Sequence, residues 1–318
     1  MRVLITGGKG FVGKYLVKMM DSLDWEVIVL DSDVSNLFLS PEVWQYLFGK
    51  PIDAIVHLAA KLMINGHTAK EYFDVNTIGT YNMLELCRLL KVKKFIYAMT
   101  HSDTNRYSAA KIDNYGCQEY GTSSWSHNSI PFIQSKVAAA DMVEVYTKQK
   151  IVQGIILRLA NIRGYGSADT KYNSPFHQFI DKARKGEDIE IWGNPPSTKR
   201  DMIYVKDVCR AFIAAIESKN AKGYYNVGSG IGLTIEDEVK AIIRVFSPYE
   251  KMPEICLDPM QPERVRNKQS KIIYCPDKEE IRKQSCIFNI RETEVDLNWV
   301  PIYTYEQGLE DFKKEAGW

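Results

Sequence analysis

Three glycines at a fixed spacing, Gly7-x-x-Gly10-x-x-Gly13, are the first residues in the chain that can do chemistry together. The apolar run Val3-Leu4-Ile5 precedes them and suits a strand buried on both faces. Phe11, Tyr15, Leu16, Met19 and Met20 follow at helical spacing. A strand, a glycine turn and a helix start make an anion site, because backbone N–H groups point at the ligand and the helix dipole favours negative charge. Glycine is needed where a side chain would keep a pyrophosphate away from the backbone. The spacing differs from the usual G-x-G-x-x-G fingerprint, and a tight turn without a ligand would also use glycines. A second strand, Glu26–Leu30, ends beside Asp31, which lies 18 residues after Gly13. An acid at about that distance binds the adenosine ribose hydroxyls of NAD and repels the 2′-phosphate of NADP. The expected cofactor is therefore NAD.

The rest of the composition excludes several function classes. The 318 residues carry 41 basic and 40 acidic side chains, a net charge of +1 with no basic run, so nucleic acid is not an expected partner. The six cysteines, at 87, 117, 209, 256, 275 and 286, form no C-x-x-C pair, so neither a metal site nor a disulfide framework is expected. They read as reduced thiols. No signal-peptide pattern and no apolar run of membrane length is present, and a cytoplasmic protein without membrane contact is expected.

The elements that would position the glycine turn alternate along the chain. Asn36-Leu37 ends a possible third strand, and Ser40-Pro41 reads as a helix start. Asp53–Leu58 is a further buried strand, followed by the small residues Ala59-Ala60. A helix over Phe73–Leu90, a strand over Lys94–Met99, a helix over Gln134–Lys148 and a strand over Ile155–Leu159 continue the pattern. Such alternation predicts an α/β fold with a doubly wound parallel sheet, whose ligands lie at the carboxyl ends of the strands. The alternation weakens after Asn161. Phe176–Lys185, Asp207–Glu217 and Ile235–Phe246 read as helices, with Thr234 capping the last. The remainder reads as irregular. Residues 1–164 are assigned to the dinucleotide-binding domain and 165–318 to a smaller substrate lobe, with 202–227 folding back onto the first domain.

Nine segments, in order and covering nearly the whole chain, resemble the extended short-chain dehydrogenases/reductases of the nucleotide-sugar epimerase/dehydratase type. They are TGGKGFVG (6–13), HLAA (57–60), VNTIGTYNMLE (75–85), FIYAMT (95–100), PFIQSK (131–136), RLANIRG (158–164), RDMIYVKD (200–207), YNVGSG (225–230) and LNWVPIYTYEQGL (297–309). The resemblance implies a Rossmann-type sheet. It implies that Gly7, Gly10 and the backbone of Phe11 and Val12 hold the pyrophosphate of NAD, that Asp31 binds the adenine ribose, and that Asn36 and Leu37 flank the adenine. Leu58 and Ala59 then line the cofactor path, Asn76 orients backbone near the nicotinamide, and Lys136 hydrogen-bonds the nicotinamide ribose. Thr100 would touch the C4 hydroxyl of the sugar. Asn161 and Arg200 would bind the sugar-nucleotide diphosphate, with Arg282 or Lys278 as a further phosphate contact. A homodimer or homotetramer built from helices 73–90 and 134–148 is also implied.

The chain departs from that pattern at Phe132. The family motif is Tyr-x-x-x-Lys, in which a phenolate takes the hydroxyl proton while hydride leaves the adjacent carbon, and the lysine lowers the tyrosine pKa. Phenylalanine accepts no proton. Three explanations stand: a natural variant using another base, an engineered substitution, or a catalytically dead relative. Ser135, Lys136, Thr100, Asn76 and the glycine turn are all retained, which favours the first. His101, beside Thr100, and His127 are imidazoles able to take the proton. Tyr107, Tyr115 and Tyr120 are alternative phenols, and His57 reads as structural. The Asp-Glu pair that usually follows the Ser/Thr in 4,6-dehydratases is replaced by His101-Ser102, which argues against dehydration. The phenylalanine resembles that of GDP-manno-heptose 4-dehydrogenases within the family, which act in capsular polysaccharide synthesis. That likeness implies oxidation of a GDP-linked sugar at C4 and reoxidation of bound NADH by a second substrate such as a 2-oxo acid. A non-catalytic protein binding NAD or a nucleotide sugar is the competing reading.

Overall fold

The structure, a computed structural model, describes residues 1–30, 47, 51–62, 67–101, 129–167, 175–193, 196–247, 270–278 and 285–318. All five residues of β1 (Arg2–Thr6) are buried, as its apolar sequence requires. The chain passes through α1 (Phe11–Asp21), returns in β2 (Glu26–Leu30), and enters β3 (Ala54–His57). The strands β4 (Lys94–Thr100), β5 (Gln153–Leu159) and β9 (Gly223–Val227) complete a six-stranded sheet in the order β2-β1-β3-β4-β5-β9. Every pairing in it is parallel. From β1 the chain steps to one side, to β2, and then crosses to the other, to β3. Such a reversal opens a crevice at the carboxyl ends of the strands.

Side-chain alternation along the strands fills two cores. Val3 and Ile5 join Leu16 and Met20 of α1 and Val208 and Phe212 of α6 (Val205–Glu217) on one face. Leu4 and Ile55 join Met83 and Leu86 of α3 (Gly79–Leu90) and Val137 and Val143 of α4 (Ser129–Lys148) on the other. The expected Rossmann-type α/β fold is what the chain adopts. One expected element is different. Residues 73–90 do not form one α-helix: α2 (Ala69–Tyr72) runs into a π-helical segment, Phe73–Ile78, before α3 begins. Apolar spacing alone does not distinguish these windings. The π turn is held by Thr80, whose hydroxyl donates to the Asn76 carbonyl at 2.6 Å.

A second set of elements stands apart from the large sheet. β6 (Asn161–Arg163) and β8 (Arg200–Tyr204) pair in parallel, and β10 (Gly232–Leu233) adds an antiparallel strand. β7 (Ile189–Trp192) pairs in parallel with β11 (Ile272–Cys275). The helices α5 (Pro175–Lys185), α7 (Ile235–Phe246) and α9 (Tyr305–Glu315) share a third core around Ile180, Ile191, Ile242 and Phe312. The expectation of an irregular C-terminal stretch is corrected here, since β11, α8 (Arg291–Asp296) and α9 lie within it. α9 buries only Gly308, Leu309 and Phe312, too narrow a stripe to stand out by periodicity, and its start is fixed by a capping box between Thr304 and Gln307.

Asp207, fully buried in the first turn of α6, anchors this C-terminal stretch. Its carboxylate accepts from the backbone N–H groups of Ile302 and Tyr303 at 3.1 and 3.0 Å and from Arg210 at 2.8 Å. The Trp299 indole donates to the Asp207 carbonyl at 3.1 Å. Asp207→Ala leaves two backbone donors and a guanidinium without this acceptor. We expect a loss of about 2–4 kcal/mol in urea unfolding, the scale for stripping one partner from a buried charged network.

Candidate active site

The glycine turn sits where β1 meets the crevice. Gly7 has φ +72°, and a Cβ there would lie 2.8 Å from the Ala59 nitrogen, so only glycine lets the turn rest on the end of β3. A Cβ at Gly13 would overlap the Gly7 carbonyl. α1 starts at Gly10 with no side-chain cap and no acidic residue in its first turn, leaving its N-terminus open to an anion. Leu58 and Ala59 follow β3 and are partly exposed beside the turn. Thr6 ties the two strands together. Its hydroxyl oxygen accepts from the Ala59 N–H at 3.2 Å and lies 2.6 Å from His57 Nδ1. His57 is fully buried, and its Nε2 has no hydrogen-bond partner among the described residues. Burial, and then the Lys136 charge, push its pKa down to about 3, so it is neutral. The histidine is a structural part of the strand, as its sequence context implied.

The π-helical turn aims Asn76 inward. Its carboxamide accepts from the Lys61 N–H at 2.8 Å and donates to Ser135 Oγ at 2.9 Å. Ser135 in turn donates to the Phe132 carbonyl at 2.7 Å, and Thr77 donates to the Ser135 carbonyl at 2.9 Å. Asn76 therefore fixes the chain after β3 against the start of α4. π turns inserted between helices are frequent at functional sites.

Phe132 and Lys136 lie one turn apart on the buried face of α4. Phe132 packs edge-on against Tyr72, with ring centroids 5.9 Å apart. Lys136 Nζ sits 4.3 Å from the centroid of the Tyr97 ring. Burial pushes Lys136 down to about 7. A buried amine with so displaced a pKa is a candidate functional group. Thr100 ends β4, and His101 follows it; both are half-buried. Asn161 opens β6, and its side chain donates to the Asp201 carbonyl at 3.1 Å. Asp31, Asn36, Leu37, His127, Tyr107, Tyr115, Tyr120 and Arg282 lie outside the described residues.

Beyond the sheet, a cavity of about 410 Å³ opens between α5, β7, β8 and α7. Arg200, from the predicted diphosphate contacts, lines it together with Phe179, Lys182, Glu190, Trp192 and Lys278. Asn161 is not among its lining residues. Trp192 is exposed on this wall. The signal for it was the alternation Ile189-Glu190-Ile191-Trp192, which buries the isoleucines and turns Glu190 and Trp192 outward. Glu238 also lines the cavity, but it is committed to Arg163 and to the Tyr305 hydroxyl, at 3.0 and 2.8 Å.

Residues 3–228 match the NAD dependent epimerase/dehydratase family. The chain belongs to this family. A dTDP-D-glucose 4,6-dehydratase of Dictyostelium discoideum is 28% identical over 77% of the chain, which spans 62% of that relative's length. A GDP-6-deoxy-D-talose 4-dehydrogenase of Aggregatibacter actinomycetemcomitans is 29% identical over 74% of the chain and 76% of its own length. In fold, the chain superposes on the UDP-glucose 4-epimerase of Thermotoga maritima with a TM-score of 0.74 over the full length of both chains, at 19% identity.

The family's cofactor is NAD, and the described residues fit it. The Gly7–Gly13 turn leaves backbone open at a helix N-terminus, as a pyrophosphate requires. Lys136 stands across the crevice on α4. Both buried bases give the cofactor-free fold a pH signature. His57 and Lys136 are held below their unfolded pKa values, so the unfolded chain binds more protons between about 3 and 6.5 and again between about 7 and 10.5. Unfolding free energy should therefore rise with pH through both windows. In Lys136→Met the upper rise should vanish and stability below pH 7 should increase, as followed by urea titrations from pH 5 to 10.

Proposed function

We propose that the protein oxidises the C4 hydroxyl of a nucleotide-linked sugar to a 4-keto product, with a GDP-linked heptose as the favoured substrate. The observation that carries this reading is Phe132, one helical turn before a buried Lys136 in a site whose other parts are intact. Epimerisation at C4 requires a proton to leave and return at the same oxygen, and a phenylalanine at this position handicaps both steps. A net oxidation needs only one deprotonation. The named activity of the Aggregatibacter relative, a 4-dehydrogenase of a GDP-sugar, supports the same direction.

NAD bound on the glycine turn supplies a hydride acceptor for the C4 hydrogen. The chain's own residues do the rest. Thr100 contacts the C4 hydroxyl and passes its proton on, since its own pKa is too high for it to keep the proton. His101 is the assigned recipient, with water behind it. Lys136 holds the nicotinamide ribose and adds positive charge beside the developing alkoxide. Phe132, packed on Tyr72, excludes water from that wall. NAD held there would serve both half-reactions, with a small 2-oxo acid as the second substrate that takes the hydride. Asp31 binds the adenosine ribose, with Asn36 and Leu37 flanking the adenine. Asn161, Arg200 and Arg282 receive the substrate diphosphate. Ile78, Tyr81, Leu89 and Val145, exposed on the π segment, α3 and α4, form the face on which two copies pair. Among the described residues no helix is long and apolar enough to cross a membrane.

The reading is tested by mixing the NAD-loaded protein with GDP-, UDP-, CDP- and dTDP-sugars and following absorbance at 340 nm. NADH should form with one base class and bleach on addition of a 2-oxo acid. Loss of a positioned base typically costs ~10²–10⁴-fold. Phe132→Tyr should therefore speed sugar oxidation by up to about that factor, and His101→Ala should slow the unsubstituted protein. Phe132 also favours a second reading, a binding protein without turnover. Absence of the 340 nm band with every nucleotide sugar, despite bound NAD, decides for it.

A further inference from the structure

We propose that Glu190 and Lys278 read the base of the nucleotide, and that the base they accept is guanine. The proposal rests on the nucleotide-sugar reading above and assigns the base selectivity to two residues.

The cavity wall carries three groups in one cluster. Glu190 Oε2 lies 3.6 Å from Lys278 Nζ, and that ammonium sits 5.4 Å from the Trp192 ring centroid. The backbone holds them there. Glu190 and Trp192 share the outward face of β7, whose inward residues Ile189 and Ile191 are buried. The turn after β11 is tied to β7 by the Gly193 N–H, which donates to the Lys278 carbonyl at 3.1 Å. Lys278 thus stands across from Trp192 by construction.

The other ionic groups on the wall have separate places. Glu238 is bound to Arg163 and Tyr305. Lys182 and Arg200 are cations suited to a diphosphate. Among the described residues, Glu190 is the remaining lining carboxylate. Its side chain is about half exposed, and its ion pair with Lys278 is long. A carboxylate in a site that receives a polyanion needs a reason.

The edge of a purine supplies one. Guanine presents two adjacent donors, N2–H and N1–H, next to the acceptor O6. A carboxylate accepts from both donors through its two oxygens. An ammonium beside it donates to O6. Glu190 and Lys278 offer that complement, acceptor, acceptor and donor, in a row. Uracil and thymine present one donor between two carbonyl oxygens, which a carboxylate repels. Cytosine and adenine present one amino group beside a ring acceptor, which leaves one carboxylate oxygen facing a lone pair. Phe179 and Trp192 provide apolar walls for a planar base.

The test is calorimetric titration of the full-length protein with nucleoside diphosphates, which needs no turnover. GDP should bind at least about tenfold tighter than UDP, dTDP or CDP, and inosine diphosphate, which lacks N2–H, should fall about tenfold below GDP. Glu190→Gln should cut GDP affinity about tenfold or more and leave UDP affinity unchanged, with the melting temperature unaltered because the side chain is exposed. Lys278→Met should weaken GDP and inosine diphosphate together, since both carry O6. Equal or tighter binding of UDP or dTDP overturns the assignment, as does undiminished GDP binding by Glu190→Gln, while the nucleotide-sugar reading survives either result. Failure of every nucleoside diphosphate to bind overturns both.

Discussion

The site depends on how closely the end of β1 approaches the end of β3. The strand order reverses there, and the Gly7 turn rests directly against Ala59. Thr6 closes the contact by accepting from Ala59 and pairing with His57. One hydroxyl thus sets the spacing of the two strands whose ends border the crevice. The fully buried His57 fills the sheet beneath and stays neutral, so no charge has to be desolvated at the floor. If this contact opened, the glycine turn would lose its seat on the end of β3.

The smaller sheets are attached by the same economy of buried carboxylates. Asp201 accepts from the Ser229, Gly230 and Phe288 backbone and from the Ser229 hydroxyl, at 2.7 to 3.2 Å. Burial raises its pKa, and those hydrogen bonds oppose the rise. Asp207 ties α6 to the segment before α9. Because Asp201 follows Arg200 and Asp207 lies in the first turn of α6, the two anchors fix the register of β8 and α6. Arg200 consequently lines the cavity from a strand rather than a loop.

Much of the first domain was legible because its signals are local. Val3 to Gly13 combines an apolar strand, a glycine turn and an amphipathic helix within eleven residues. The resemblance over nine motifs added the identity of the family. What stayed hidden depends on tertiary partners. The π turn at Phe73–Ile78 arises from what Asn76 must reach, not from any helix propensity. The depressed pKa of Lys136 comes from burial of α4 against the sheet, where Tyr97 of β4 lies beneath the amine. Trp192 has the side chain of a core residue, and the alternation that turns it outward can be read with assurance only once β7 is seen to pair with β11 as a strand. α9 has few apolar residues and is stabilised mainly by the partners its buried face meets.

The substitution at Phe132 changes the electrostatics of the crevice as well as its proton inventory. A phenol at that position would place an ionisable oxygen near Lys136, and each would hold the other's charge. With phenylalanine there, Lys136 meets an aromatic ring above, a neutral histidine beyond it and no carboxylate among its described neighbours. Its charge is then poorly compensated, which is why burial alone accounts for its low pKa. Such an amine gains most from a partner that supplies hydroxyl acceptors without adding a competing cation. The ribose of a dinucleotide is a partner of that kind. The loss of the phenol therefore weakens the site as a reversible acid–base device and leaves the Lys136 charge without the oxygen that would hold it.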